Sequence, residues 1–261
     1  MSIESPARLT RRAVISVTGE DARDFLQRVV TCGVVDLADG DIRPGALLTP
    51  QGKIIADFLI HGRADGVWIE LPTDSAPALV KRLSMYKLRA RAAVTLEDGL
   101  AVVTGDGASD PRSPRLPRRA IVAASDASGL MVGDEAQSEA EISAGIPAFG
   151  RDYGEAEVFP TDVNLDLFGG IGWKKGCFIG QEVVSRMKRR GTIRKRTVRL
   201  HCEGQALVAG TDIMLDDVRI GAVTSSAGST ALAVMRLDRL EDARVVQVAG
   251  HDAQVDLPDG S

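Results

Sequence analysis

The chain has 261 residues, 44% of them hydrophobic and 26% charged, and a formal net charge of -4. That length can bury one or two cores, or three small ones, without help from disulfides or metal. The slightly acidic balance excludes a generally cationic nucleic-acid binder, so any basic patch must be local. Cys32, Cys177 and Cys202 have neither the density of a disulfide framework nor zinc-ligand spacing. MSIESPARLTRR lacks a signal-peptide apolar core, and no segment approaches the roughly 20 apolar residues that span a bilayer. A cytoplasmic protein in a reducing compartment, with no membrane partner, is the expectation.

In chain order, Ala13 to Val17 reads as a strand, and EDARDFLQRVV as a helix whose Ala22, Phe25, Leu26, Val29 and Val30 share one face. GALLTPQGKIIADFLIHG is two apolar runs joined by Thr49-Pro50-Gln51-Gly52, the pattern of a hairpin around a type I turn. Val67 to Leu71 follows as a strand, Ser75 to Ser84 as a helix, and Ala90 to Leu96 and Leu100 to Thr104 as two more strands: a small antiparallel α+β unit. Gly105 to Arg119, with three prolines, reads as an exposed loop whose arginines are solvated. AIVAA and GLMVG resemble a strand pair, Glu135 to Ala144 a helix ended by Gly145-Ile146-Pro147, and Thr161 to Leu167 a short helix capped by Thr161 or Asp162. From Thr197 the runs TVRLHC, DIMLDD, VRIGAVTSS, TALAVMRL and RVVQVAG predict a small barrel or sandwich.

The chemistry gathers in KKGCFIGQEVVSRMKRR, Lys174 to Arg190. Gln181 to Arg190 predicts a helix that stops before Gly191, with Cys177 just ahead of its N-terminus. The helix dipole and the neighbouring Lys174 and Lys175 favour a thiolate there, or an anionic ligand. A cysteine between glycine and phenylalanine is equally readable as a small buried hydrophobe, and Glu182 as a first-turn acid that merely suits the dipole. Arg186, Lys188, Arg189, Arg190, Arg194, Lys195 and Arg196 read as a solvated face or as phosphate contacts. No metal site is expected, because stable binding of zinc or a cluster needs about four ligands.

KGCFIGQE, Lys175 to Glu182, closely resembles the K-G-C-[aromatic]-x-G-Q-E signature of the YgfZ family, folate-binding proteins related to the T-protein (aminomethyltransferase) of the glycine cleavage system. Further resemblance runs in the family's order: ISVTGEDARDFLQRVVT, LLTPQGKIIADFLI, YKLRARAAV, GIP with FPTDVNLDLFGGI, and IGAVTSS with ALAVMRLD. It implies an α+β fold of three modules around a central channel, ending in a β-barrel. The division it implies is a discontinuous folate-binding module (1–44 and 118–195), an inserted α+β module (45–117) and the barrel (196–261). It further implies tetrahydrofolate, or a one-carbon-substituted folate, in the channel. The partners would be iron-sulfur client enzymes, including some that modify tRNA, or assembly factors, with no direct nucleic-acid binding. An accessory role is implied ahead of the alternative, a folate-dependent one-carbon transferase.

Under this resemblance Cys177 is the functional thiol. Asn164, Asp166, Gln181 and Glu182 offer donors and acceptors to the pterin, and Lys175 and Arg186 offer charge to the glutamate tail. Asn164 and Asp166 are also readable as decoration of a short helix. Asp57 and Asp98 are available as a catalytic aspartate, but neither sits in a matching motif. Two positions depart from the family: Thr31-Cys32-Gly33 replaces a Thr-Asn-Asp-like triplet, and Phe178 stands where tyrosine is common.

Overall fold

A computed structural model describes residues 5–191, 193–240 and 243–258. The outer ends of the first and last expected modules, 1–4 and 259–261, lie outside the described residues. In chain order, β1 (Ala7–Leu9) and β2 (Arg12–Thr18) precede α1 (Ala22–Gln27). Strands β3 (Ile42–Leu48), β4 (Ile54–Arg63) and β5 (Gly66–Pro72) lead to α2 (Ala76–Tyr86). Next come β6 (Ala93–Leu96), β7 (Leu100–Ala108), β8 (Arg119–Ala123), β9 (Met131–Val132), α3 (Asp134–Ala144) and α4 (Gln181–Arg190). The remainder is β10 (Lys195–His201), β11 (Asp212–Leu215), β12 (Val218–Ala227), β13 (Thr230–Arg236), β14 (Val245–Val248) and β15 (His251–Asp256).

These strands form a five-stranded sheet, β3-β4-β5-β2-β6, a four-stranded sheet, β8-β7-β1-β9, and a closed barrel, β10-β13-β12-β11-β14-β15. Alternation along a strand sends successive side chains to opposite faces, and the five-stranded sheet uses both. Ile15, Leu47, Phe58 and Ile60 pack with Phe25 and Leu26 of α1 and Leu79 and Leu83 of α2. On the opposite face Ala46, Leu48 and Ile54 meet Tyr153, Val163, Leu165, Ile171 and Phe178 from the long segment before α4. The barrel closes because β10 pairs with both β13 and β15, which removes the exposed edges of an open sheet. Its interior is filled by Val198, Leu200, Ile213, Met235, Val246 and their neighbours.

Hydrogen bonding crosses the boundary expected at 44/45, since β2 pairs with β5 along its length. Three local expectations are corrected. Residues 161–167 form consecutive turns, because Asn164 takes a positive φ of 61° that a helix cannot contain. β8 and β9 share a sheet but occupy its opposite edges, separated by β7 and β1. The arginines of the Pro-rich segment are not all solvated: Arg119 is 1% exposed and Arg112 is half-buried.

A guanidinium removed from water needs counter-charges beside it, and the fold supplies them from several elements. Arg119 on β8 donates to Glu70 on β5, and Glu70 also takes bonds from Arg12 Nε at 3.0 Å and pairs with His61 Nε2 at 3.0 Å. Asp110 Oδ2 lies 2.9 Å from Arg119 and 2.8 Å from Arg112. Arg112 reaches on to Glu141 of α3 at 2.9 Å, and Arg151 joins Glu141 at 3.0 Å and Asp152 at 2.8 Å. Asp152 accepts from Thr224 at 2.7 Å and Ser225 at 2.5 Å on the barrel. One chain of charges therefore ties both sheets, α3 and the barrel together.

Burial alone would raise the carboxyl pKa of Glu70 and Asp110. The Arg119 and Arg12 charges nonetheless hold Glu70 well below the usual range, and Arg112 and Arg119 hold Asp110 at about 2. A depressed carboxylate stabilises the fold above its ordinary value of 3.8 and loses that contribution as pH falls toward about 2. Asp110→Asn should therefore cost about 3 kcal/mol or more at neutral pH, because Arg112 and Arg119 are left buried with less counter-charge. Denaturant unfolding of both proteins across acid pH should show the gap narrowing; a gap independent of pH would remove Asp110 from the network.

Candidate functional site

Where the sheets, α3 and the barrel converge, the chain leaves a row of three adjoining cavities, together the channel. One mouth, about 550 Å³, opens between residues 9–12, residues 72–75, α3 and residues 148–151. The other, about 320 Å³, opens between residues 112–115, the end of α3, Phe168 and the barrel residues Thr197, Arg199 and Asp256. A waist of about 20 Å³, room for roughly one water, lies between them: it shares Arg12, Ala148 and Phe149 with the first mouth and Arg112 and Phe168 with the second.

Asp57 stands at the waist. It pairs across the ladder with Ala46 and so takes the sheet face away from α1 and α2. Burial raises its pKa, opposed by a bond from Tyr153, whose Oη donates to Asp57 Oδ2 at 2.6 Å. Burial, and then the adjacent Asp57, push the Tyr153 phenol well above its ordinary value. An acid within the apolar run IIADFLI was visible in the sequence, but Tyr153 and the arginines of the waist carried no sequence signal.

The KGCFIGQE segment lies elsewhere. Phe178 is buried beside Val184 of α4, which turns the loop so that Cys177 is exposed; Cys32 and Cys202 are buried. Burial pushes the Cys32 thiol to about 12; of the described thiols only Cys177 is presented to solvent. Lys175 is half-buried and its pKa is lowered to about 8 by that burial. Its Nζ donates to the Gln27 carbonyl, while Gln27 Nε2 donates back to the Lys175 carbonyl at 3.0 Å. The loop is also clamped against the β3–β4 turn. Gly180, the residue before α4, has φ 79°, and a Cβ there would lie 2.7 Å from the Thr49 carbonyl oxygen and 3.1 Å from Gly52 Cα. Two segments distant in sequence, LLTPQGK and KGCFIGQE, thus meet backbone to backbone.

The remaining sequence-predicted residues divide into two groups, and neither lines the channel. Arg196 donates to both carboxylate oxygens of Asp166 at 2.9 Å and to Asn164 Oδ1 at 3.2 Å, while Asn164 Nδ2 donates to the Thr197 carbonyl at 2.8 Å. This set fastens β10 to the turns of residues 161–167, and it removes Arg196, 6% exposed, from the expected solvated face. Glu182 and Arg186 pair with each other at 3.0 Å on the outer side of α4, and Gln181 begins that helix. α4 buries Val184, so its charged residues point outward; Lys188 lies over the Trp173 ring at 4.0 Å. Among the described residues no group of three or more His, Cys, Asp or Glu could hold a metal ion, and no helix is long and apolar enough to cross a membrane.

The architecture is that of a T-type aminomethyltransferase. The solved structure of glycine cleavage system aminomethyltransferase T from Bartonella henselae matches with a TM-score of 0.80 over 96% of this chain and 83% of that one, at 18% identity. Residues 194–260 match the family model described as CAF17, C-terminal beta-barrel domain. A protein of Coccidioides immitis named iron-sulfur cluster assembly factor IBA57 homolog, mitochondrial, is 31% identical over 235 residues, covering 73% of this chain and 55% of its own. Its namesake in Pyricularia oryzae is 31% identical over 214 residues, covering 72% and 55%. The chain spans about half the length of these curated relatives. It therefore has a T-protein-like fold and is related to the IBA57 and CAF17 proteins. The relatives are named as mitochondrial, which overturns the cytoplasmic placement expected from the sequence.

Gly180→Ala should lower stability by about 2 kcal/mol, through a left-handed backbone that alanine resists and the close Thr49 carbonyl. Gly129→Ala, whose Cβ would meet nothing within 4 Å, should stay near wild type. Urea unfolding of the two variants tests the clamp; equal stabilities would show that the turn and the loop separate without cost.

Proposed function

We propose that this chain is a folate-binding accessory factor in iron-sulfur cluster assembly or repair. The observation that carries the reading is the exposed Cys177, held on a clamped loop while Cys32 and Cys202 are buried: the arrangement presents one thiol to a partner. The names of the related proteins support the iron-sulfur role, and the T-protein-like fold with its central channel supports a folate ligand. The finer parts of the proposal rest on the KGCFIGQE resemblance: membership of the YgfZ group, tetrahydrofolate or a one-carbon-substituted folate as ligand, and clients that include tRNA-modifying enzymes. The division into 1–44 with 118–195, 45–117 and 196–261 belongs to the same proposal.

The channel residues fit such a ligand. Phe149 and Phe168 flank the waist, Asp57 and Tyr153 supply hydrogen-bonding groups within it, and arginines line both mouths. The waist holds about one water, so folate binding requires the two phenylalanines to move apart. Cys177 acts outside the channel, on the partner's side of the reaction. Buried Asp57 favours one second reading, a folate-dependent one-carbon transferase, in which that carboxyl would face the reacting nitrogen.

Two experiments test the proposal. Tetrahydrofolate at about 100 times its dissociation constant should stabilise the purified chain by roughly 2.7 kcal/mol; no heat of binding and no thermal shift would defeat the folate reading. In cells lacking the protein, Cys177→Ala should fold and bind folate normally yet fail to support iron-sulfur enzymes. Full complementation by that variant, together with one-carbon transfer that Asp57→Asn abolishes, would favour the transferase.

A further inference from the structure

Charge is unevenly placed along this chain. The whole carries a formal net charge of -4, yet residues 174–195 hold eight Lys or Arg against one acid, Glu182. Some of these cations are taken up by the fold: Lys175 is half-buried and donates to the Gln27 carbonyl, and Lys188 lies over the Trp173 ring at 4.0 Å. The others stand outside. Glu182, Arg186 and Arg189 follow i, i+4, i+7 spacing, which sets them in one row along the outer side of α4 with Arg190 on its flank. Glu182 neutralises Arg186 at 3.0 Å where the row begins. Beyond that pair the fold supplies no acid: Arg189 donates to the Ser185 carbonyl of its own helix at 3.4 Å, and the side chains of Lys174 and Arg190 have no hydrogen-bond or ion-pair partner among the described residues. All three are exposed.

Attraction to a helix C-terminus accounts for Lys188, Arg189 and Arg190 in the last turn. It does not account for Lys174 ahead of the helix or Arg194 beyond it, both exposed. Like charges gathered this closely repel one another, and an anion from outside relieves the repulsion. The strip also runs past the exposed thiol, because Cys177 lies between Lys174 and the start of α4. At ten residues α4 is about 15 Å long. A protein partner of ordinary size covers about 800 Å², a patch roughly 30 Å across, so one face reaches both Cys177 and Arg190.

The chemistry of the strip favours protein over nucleic acid. Single-stranded bases bind by stacking on aromatic rings, and Trp173 is covered by Lys188. Glu182, in the row itself, repels phosphate. Carboxylates match the forked guanidinium donors, and a protein partner also brings groups with which a thiol reacts.

We propose that the outer side of α4, together with Lys174, is a docking surface for an acidic face of a protein partner, and that it sets that face against Cys177. This rests on the reading of Cys177 as a thiol presented to a partner, and it assigns the partner's surface its charge.

Thiol exchange on the full chain tests it with three cysteine peptides of equal length, rich in glutamate, serine or lysine, each carried as a mixed disulfide with thionitrobenzoate. The Cys177 thiolate attacks the peptide sulfur, a protein-to-peptide disulfide forms, and coloured thionitrobenzoate leaves with the electron pair of the broken S–S bond; Cys177→Ala gives the blank for Cys32 and Cys202. At about 0.01 M salt, where charges act over roughly 30 Å, the glutamate peptide should react about tenfold faster than the lysine peptide, and the preference should vanish at about 1 M salt. Arg189→Glu combined with Arg190→Glu should remove most of that tenfold, keep the serine peptide's rate and the thermal melt close to wild type, and fail to support iron-sulfur enzymes in cells lacking the protein. If melts show that variant unfolded, Arg189→Gln with Arg190→Gln carries the test with a smaller loss. Equal rates with the glutamate and lysine peptides, or full support in cells by a charge variant where Cys177→Ala gives none, overturns the docking surface while the thiol reading stands. Binding of a short single-stranded RNA that the charge variant loses overturns it as well, making the face a nucleic-acid site. Full support by Cys177→Ala takes both down.

Discussion

The buried guanidinium of Arg119 is the constraint around which the molecule is arranged. It sits on the four-stranded sheet with its counter-charges on other elements, Glu70 in the five-stranded sheet and Asp110 in the Pro-rich segment. Removing either acid would strand a cation in a place where solvation is costly, so the two sheets and that segment must assemble together. The same logic passes through Arg112 and Glu141 to Arg151 and Asp152, and from Asp152 to the barrel hydroxyls of Thr224 and Ser225. Hydrophobic burial builds each module separately, as the distinct cores of sheet and barrel show. Polar contacts decide how the modules face one another.

That division of labour creates the channel. Apolar faces pack until no space remains, whereas paired charges demand particular geometry and stop the surfaces from closing. The space left is lined by Arg12, Arg112 and Asp57 at its narrowest part. Asp57 is there because the strand's alternation turns it away from the α1–α2 core, and Tyr153 meets it from a segment nearly a hundred residues further along the chain.

The thiol loop is positioned by another means. Among the described residues no ion pair holds Cys177; its place is set by two glycines in contact, by Phe178 in the core beneath it, and by the reciprocal bonds of Lys175 and Gln27. The loop is thereby fixed from below and open above. The channel and the thiol are separate features of one scaffold, and the core of Leu48, Ile54, Tyr153 and Phe178 lies between them. This core touches the waist through Tyr153 and the thiol loop through Phe178.

Local physics was legible from the sequence alone. The α4 boundaries follow from helix formers ended by Gly191, the β3–β4 hairpin from its Pro and Gly turn, and the C-terminal strands from short apolar runs, because each depends on neighbours a few residues away; that those strands close as a barrel depends on the distant pairing of β10 with β15. The signature KGCFIGQE likewise marked the thiol loop. Hidden from the sequence was everything that required distant partners. Arg112 and Arg119 read as solvated because their prolines and serines signal a loop, and only the meeting with Glu70 and Glu141 explains their burial. Asn164 and Asp166 read as ligand contacts or as decoration of a short helix because amide and carboxylate groups suit either role, and only the fold brings Arg196 of β10 to both. Sequence determined which segments become helix, strand and turn. The tertiary structure decided which polar groups neutralise one another and which are left facing the channel, because that choice depends on distances that no local pattern encodes.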